Sequence, residues 1–256
     1  MFGYLSFAPQ GERLRGGVRP ETKTIGGVRF FAVSVEQSRS RMVQVRRLRR
    51  AARIMERAGV RAALFPAGFT EDGLFAKRQI RKAGAEYLRR MTAGAIARRA
   101  MAEHGLRPAE CHAVLIGDHM SGELRKALME IALHVRYTML AAGGGGGEIC
   151  SVLRREYGVS VLRDPGQEQL RRANLVLTFG SAVPCGGDGC LWLPFGEVTQ
   201  AEGFCSGALQ VRYGVPPEVE AALPADCDRN GLLSVLLEMG ALRANELEVL
   251  EILQNA

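Results

Sequence analysis

Between residues 109 and 180, short apolar runs alternate with stretches whose apolar side chains recur every third or fourth position. This pattern predicts strand and helix in turn. Residues 112–117 (HAVLIG) read as a strand, 122–133 as a helix, 135–140 as a strand and 148–157 as a helix. Residues 159–162 then read as a strand, 168–172 as a short helix and 175–179 as a further strand. Strands separated by helices of this length pair in parallel, through right-handed crossovers. The expected fold class is α/β: a Rossmann-like, doubly wound, mainly parallel sheet with an N-terminal α/β portion and C-terminal helices.

The flanking regions have other styles. Residues 1–27, rich in Gly, Arg and Pro, read as an irregular arm, and 28–35 (VRFFAVSV) as the first strand. A helix is expected over 40–58, with Met42, Val45, Leu48, Ala52 and Met55 as its buried stripe and Gly59 closing it. Residues 61–65 form a short buried strand. Residues 71–104 read as a short helix, a break near Gly84 and a longer helix carrying Ala93, Ile96, Ala97, Ala100, Met101 and His104 on one face. Beyond the middle, 182–184 and 191–195 suit a hairpin across a glycine-rich turn, and 209–213 a strand. Pro216 and Pro217 open a helix, and 230–239 and 245–253 have helical spacing. The portions expected are a basic one at 1–108, a Rossmann-like one at 109–214 and a helical extension at 215–256.

Composition narrows the classes. A chain that is 47% hydrophobic and 24% charged has the means to bury a core. Residues 1–10 place no Lys or Arg ahead of their apolar side chains, which argues against a signal peptide. His134 and Arg136 break the best apolar stretch, 131–142, so no membrane partner is expected and the chain reads as cytoplasmic. Its six cysteines read as free thiols. Cys185 and Cys190 flank a turn with four residues between them, which is not the usual zinc spacing, and no metal is expected. The net charge of +7 is unevenly spread: residues 1–105 hold 22 basic and 8 acidic side chains, the rest 12 and 19. That suits either an anionic partner for the first half or two halves that attract each other. Arg46, Arg47, Arg49, Arg50, Arg53 and Arg57 invite a nucleic-acid reading, but they are also what remains once the helix turns its apolar stripe inward.

In open α/β sheets, ligands bind beyond the carboxyl ends of the strands. Gly117, Asp118, His119, Met120, Ser121 and Gly122 follow the first middle strand there. A dinucleotide fingerprint needs glycine at its first, third and sixth positions: for the turn, for pyrophosphate approach, and for helix packing. Gly117 and Gly122 fill the outer two, but His119 holds the middle one. Ala141 and Ala142 stand where an acidic ribose partner belongs, so the determinants of NAD(P) binding are incomplete. Gly143, Gly144, Gly145, Gly146 and Gly147 open the next helix, where bare backbone N–H groups suit an anion or the glycines merely relax sterics. Gly180 and Ser181 complete the rim. Asp118 and His119 are the candidates for acid–base work, Ser121 reads as a helix cap, and the helix dipole accounts for His134.

Residues 112–180, with Ala173-Asn174-Leu175-Val176-Leu177-Thr178 leading into Gly180, resemble the nucleotide-binding half of shikimate-dehydrogenase-like proteins. In that family too a small α/β domain precedes the Rossmann domain. The resemblance implies a nucleotide-binding fold. It departs at His119, and residues 1–105 hold no counterpart of the family's catalytic Lys and Asp. Over its full length, with Tyr157-Gly158-Val159 starting a strand, the chain is similar to a family of uncharacterised bacterial proteins of the same plan, which implies a fold and no activity. Three functions stay open. One is a non-catalytic or regulatory protein that binds a nucleotide or other small anionic ligand. Another is an oxidoreductase or transferase using the same crevice. The third is a nucleic-acid or protein interaction module using the basic N-terminal half. Nothing in the pattern specifies an oligomeric state.

Overall fold

The computed structural model describes residues 1–181, 187, 189–196 and 209–253. The chain divides into two compact units, Met1–Leu88 with Val215–Glu246, and Arg89–Gly214 with Leu247–Ala256.

The first unit is built on β1 (Phe2–Phe7), β2 (Val18–Ile25), β3 (Val28–Val35), α1 (Arg41–Arg57), β4 (Ala62–Leu64), α2 (Gly73–Ala76) and β5 (Arg81–Lys82); α3 (Glu86–Met91) spans the boundary. The sheet order is β2-β3-β1-β4-β5, parallel throughout except for β2. Residues 1–27 are therefore not an irregular arm: they supply the central strand and an edge strand. β1 lies so close to its cover that a Cβ on Gly3 would sit 2.8 Å from Val60 and 3.1 Å from Ala63. β2 is polar because it is an edge, where Pro20 and its charged neighbours discourage further pairing. Leu48, Ala51, Ala52 and Met55 of α1 pack on Leu5, Val33, Val35 and Ala63. Met42 is not part of that stripe; it is 84% exposed. It stands on the first turn of the helix, while the buried face begins at Leu48.

The second unit runs through α4 (Ala93–Glu103), β6 (His112–Gly117), α5 (Gly122–Ala132), β7 (Tyr137–Ala142), α6 (Gly146–Tyr157), β8 (Val161–Arg163), α7 (Gln167–Arg171), β9 (Leu175–Phe179) and β10 (Leu191–Pro194). Its sheet order is β10-β9-β6-β7-β8, all parallel. Read from β8, that is third, second, first, fourth and fifth strand, the Rossmann order. Leu191–Pro194 joins the sheet in parallel beside β9. The expected partner limb at 182–184, and Cys185, lie outside the described residues. β11 (Gln210–Gly214) pairs antiparallel with β12 (Glu248–Leu253) in the same unit. The expected helix over 245–253 is therefore a short 3-10 turn, Ala244–Glu246, followed by a strand: Val249 and Ile252 are buried at a spacing of three, which six residues can show in a strand as readily as in a helix. α8 (Pro217–Ala222) and α9 (Arg229–Glu238) belong to the first unit, where α9 buries Leu232, Leu233, Val235, Leu236 and Leu237.

The 71–104 region has more joints than its periodicity predicts. β5 precedes Gly84, and Thr92 separates α3 from α4. His104 is exposed and caps α4 at its end, off the buried face of Ala93, Ile96, Ala97, Ala100 and Met101. Gly94 suits helix packing here, because a Cβ at that position would lie 2.7 Å from the Cβ of Glu130 on α5.

Candidate functional site

The reversal of strand order in the second unit falls between β6 and β9, and the predicted rim residues converge on it. Gly117 is in register with Ala142 on one side and Phe179 on the other. It leads straight into Asp118, whose carboxylate accepts hydrogen bonds from the Ser181 backbone N–H (3.0 Å) and the Ser181 hydroxyl (3.1 and 3.2 Å). Gly180 makes this possible: it has φ +81°, and a Cβ there would lie 2.2 Å from Asp118 Oδ2. The crevice at the switch point is therefore bridged from within, by a negatively charged group.

Gly143, Gly145 and Gly146 have packing reasons to be glycine. A Cβ on Gly143 would lie 2.5 Å from the Asp118 carbonyl oxygen, and one on Gly146 2.7 Å from Leu140. Gly145, at φ +77°, is the residue from which α6 starts, with the Met120 side chain against it. The run is thus a close seam between the first loop and α6. At Gly147 the neighbour differs. Arg163, the last residue of β8, brings its Nη1 to within 2.8 Å of where a Cβ would be.

The two helix starts at this edge are unlike. α5 is capped by its own chain, since the Leu124 N–H donates to the Ser121 hydroxyl at 3.1 Å, with Glu123 in the first turn. α6 has no side-chain cap; it carries Glu148 in its first turn, and Arg163, 53% exposed, adds a cation beside that turn. Its ion pair with Asp164 spans 3.8 Å between exposed groups and holds it weakly. Gly122, at the fingerprint's third glycine position, meets nothing within 4 Å of a built Cβ, so helix packing does not require glycine there. His119 is exposed, and among the described residues no hydrogen bond joins it to Asp118. Arg163 escaped the sequence reading, although the rule that residues after each strand form the rim applies equally to β8.

Of the other titratable groups, Cys150, on α6, feels Arg163 and Asp164. Burial pushes the Cys111 thiol up to about 12 and Cys227 to about 11, and it raises Cys150, so these thiols stay protonated at neutral pH. Burial, then the hydrogen bond to Asp226, raises Tyr4. His112 stacks on Tyr137 with ring centroids 4.4 Å apart, and Arg136 lies over the outer ring. Among the described residues no three His, Cys, Asp or Glu side chains gather as a metal site, and no helix is long and apolar enough to cross a membrane.

His134 behaves opposite to a helix-dipole account. Partial burial, with the Arg98 guanidinium nearby, lowers its pKa below the ordinary 6.5. The fold thus favours the neutral ring, a contribution present above about 6.5 and lost as pH falls through the lowered value. Arg98→Ala is expected to move the His134 ring titration, followed by NMR, upward towards 6.5.

Of the seven arginines on α1, Arg47 and Arg50 are engaged. Arg47 donates to the carbonyls of Glu36 and Gln37 and pairs with the Glu36 carboxylate at 3.0 Å; Arg50 donates to the Gly16 carbonyl. Arg46, Arg49, Arg53 and Arg57 are exposed.

No family model and no curated protein matches the chain. Among solved structures it is similar to a putative aspartate carbamoyltransferase from Trypanosoma cruzi, at 10% identity and a TM-score of 0.33, covering 93% of this chain and 82% of that one. The ligand-free aspartate transcarbamoylase of Trypanosoma cruzi aligns at 12% identity and a TM-score of 0.29 over 70% of this chain. This chain spans 60% of that one, less than two thirds of its length. A D-lactate dehydrogenase with NAD+ from Lactobacillus jensenii aligns at 9% identity and a TM-score of 0.24, over 53% of this chain and 46% of that one. Likeness at this level assigns nothing to the chain beyond the α/β class evident from its own sheets.

Proposed function

We propose that the protein binds a small anionic ligand carrying hydroxyl groups, of the size of a mononucleotide, at the carboxyl edge of the second unit. The observation that carries this reading is the start of α6: a twelve-residue helix with no side-chain cap, bare of side chains at Gly145, Gly146 and Gly147, with Arg163 against Gly147 to offset Glu148 in the same turn. Backbone N–H groups and a guanidinium together favour a phosphate or carboxylate. Asp118, beside Gly143, is the natural acceptor for the ligand's hydroxyls. The pyrophosphate route used in dinucleotide sites has no support, because Ser121 already caps α5 and His119 stands at the fingerprint's middle position. The resemblance to shikimate-dehydrogenase-like proteins enters this reading only as a shared fold plan. Binding is proposed here, and no catalytic step.

Calorimetric titration tests it. AMP is expected to bind, NAD+ to bind no more tightly than AMP, and Arg163→Ala to weaken AMP about tenfold, the usual cost of a charge-assisted hydrogen bond. NAD+ binding far tighter than AMP, or AMP affinity unchanged in Arg163→Ala, would sink the reading.

A further inference from the structure

The first unit holds a cavity of about 360 Å3 that the sequence pattern did not announce. It lies where residues 9–13 pass over the end of β3 and the turn into α1, and Arg13 and Arg39 are among its lining residues. Its volume falls within the roughly 300–1,000 Å3 of small-ligand clefts. Its place, beyond the carboxyl end of a parallel strand, is where α/β sheets bind ligands.

The charges around it do not cancel. Glu12 is paired with Arg19 at 2.7 Å. Glu36 is paired with Arg47 at 3.0 Å and accepts from the Leu14 N–H at 3.2 Å. The Ser38 hydroxyl accepts from the Ser40 N–H. Arg13 and Arg39 line the same cavity, and among the described residues neither has a hydrogen-bond or ion-pair partner. Two arginines without a partner thus line one small space, and α1 begins beside them with no acidic residue in its first turn. Part of the lining is tied to the fold: the Glu12 N–H donates to Pro9 O and the Ser38 N–H to Gln44 Oε1. Glu36 N–H donates to Gly17 O, Gly17 N–H to Leu14 O, and Arg50 to Gly16 O, with Leu14 buried beneath.

We infer that this cavity is a second ligand site, separate from the one proposed above, and that it takes the phosphate of a small phosphomonoester. Two unpaired cations match a dianion. Their planar forks offer more donors than the two oxygens of one carboxylate can use, but suit the three terminal oxygens of a phosphate.

The test is calorimetric titration of the full chain with ribose 5-phosphate, inorganic phosphate and succinate, in the wild type and in Arg13→Ala, Arg39→Ala, the double variant, Arg46→Ala and Arg163→Ala. Ribose 5-phosphate is expected to bind. Each single change at Arg13 or Arg39 should weaken one site about tenfold, the double change should abolish it, and Arg46→Ala should leave it unchanged. All these arginines except Arg163 lie in the first unit and are exposed, so folding does not confuse the result. If both sites exist, the stoichiometry falls from two to one in the double variant, and also in Arg163→Ala. A stoichiometry of one that only the double variant removes supports this site and sinks the other. Phosphate binding indifferent to Arg13 and Arg39, no binding at millimolar ligand, or succinate binding in preference to phosphate would each overturn the inference. Inorganic phosphate binding as tightly as ribose 5-phosphate identifies the free ion as sufficient; tighter binding of the sugar phosphate identifies the ester. Either supports the site.

Discussion

Gly143→Ala is expected to lower stability by about 2 kcal/mol, within the range for overpacked positions, and to cost several degrees of melting temperature. The added methyl would lie 2.5 Å from the Asp118 carbonyl oxygen, and the obstructing atom is backbone, which cannot swing aside as a long side chain would. The loop has little room to shift, because the Asp118 carboxylate is held by the N–H and hydroxyl of Ser181. Gly122→Ala is the control. Nothing lies within 4 Å of its added methyl, and the position is helical, so the change is expected to be neutral or to stabilise by about 0.5 kcal/mol. Thermal unfolding of the two variants separates a seam that needs glycine from a fingerprint position that does not. Equal effects would show the seam to be looser than its distances indicate.

Arg47→Ala is expected to cost about 2–3 kcal/mol in urea unfolding. The pair it forms with Glu36 is largely shielded, with side chains 21% and 22% exposed, so removing the cation leaves a carboxylate partly buried and unpaired. Two carbonyls, of Glu36 and Gln37, lose a donor as well. Glu36→Gln should be milder than Arg47→Ala, since the amide keeps a polar group towards the Leu14 N–H. Adding it to Arg47→Ala should then cost less than the sum of the two single changes. An additive pair would mean that the contact contributes nothing to stability.

How far the sequence could be read depended on whether a residue's neighbours are near in the chain. β6 and β9 were legible to the residue, because buried parallel strands are continuous apolar runs with turns at both ends. So was the convergence of Gly117, Asp118, Gly143, Gly180 and Ser181, since the rule of carboxyl ends needs only strand positions. β1 was not. Its six residues carry Gly3 in their midst and run into Pro9 and a polar arm, and only packing under Val60 and Ala63 makes them a central strand. Residues 248–253 pair with a strand some forty residues earlier, and an isolated apolar spacing cannot report that partner. The use of the Gly143–Gly147 run was likewise hidden, because it depends on Asp118, Met120, Leu140 and Arg163 arriving from three other segments. The same holds for Arg47: in sequence it is one of seven similar arginines on its helix, and only the return of residues 14–17 over β3 distinguishes it.

The interleaving of the two units sets the order in which a growing chain can finish them. The five strands of the first sheet have all been made by Lys82, yet α9 and the segment around Cys227 come from beyond residue 214. Until they emerge, the Tyr4 hydroxyl lacks Asp226, Pro66 lacks its bridge to Cys227, and the Leu88 N–H lacks the Ser234 hydroxyl. The second sheet is complete by Pro194, but β11 waits for β12, the last described strand of the chain. Each unit therefore lacks part of itself until residues beyond 214 have been made. A truncation that removes those residues takes something from both, so neither unit can be excised as one uninterrupted piece of chain.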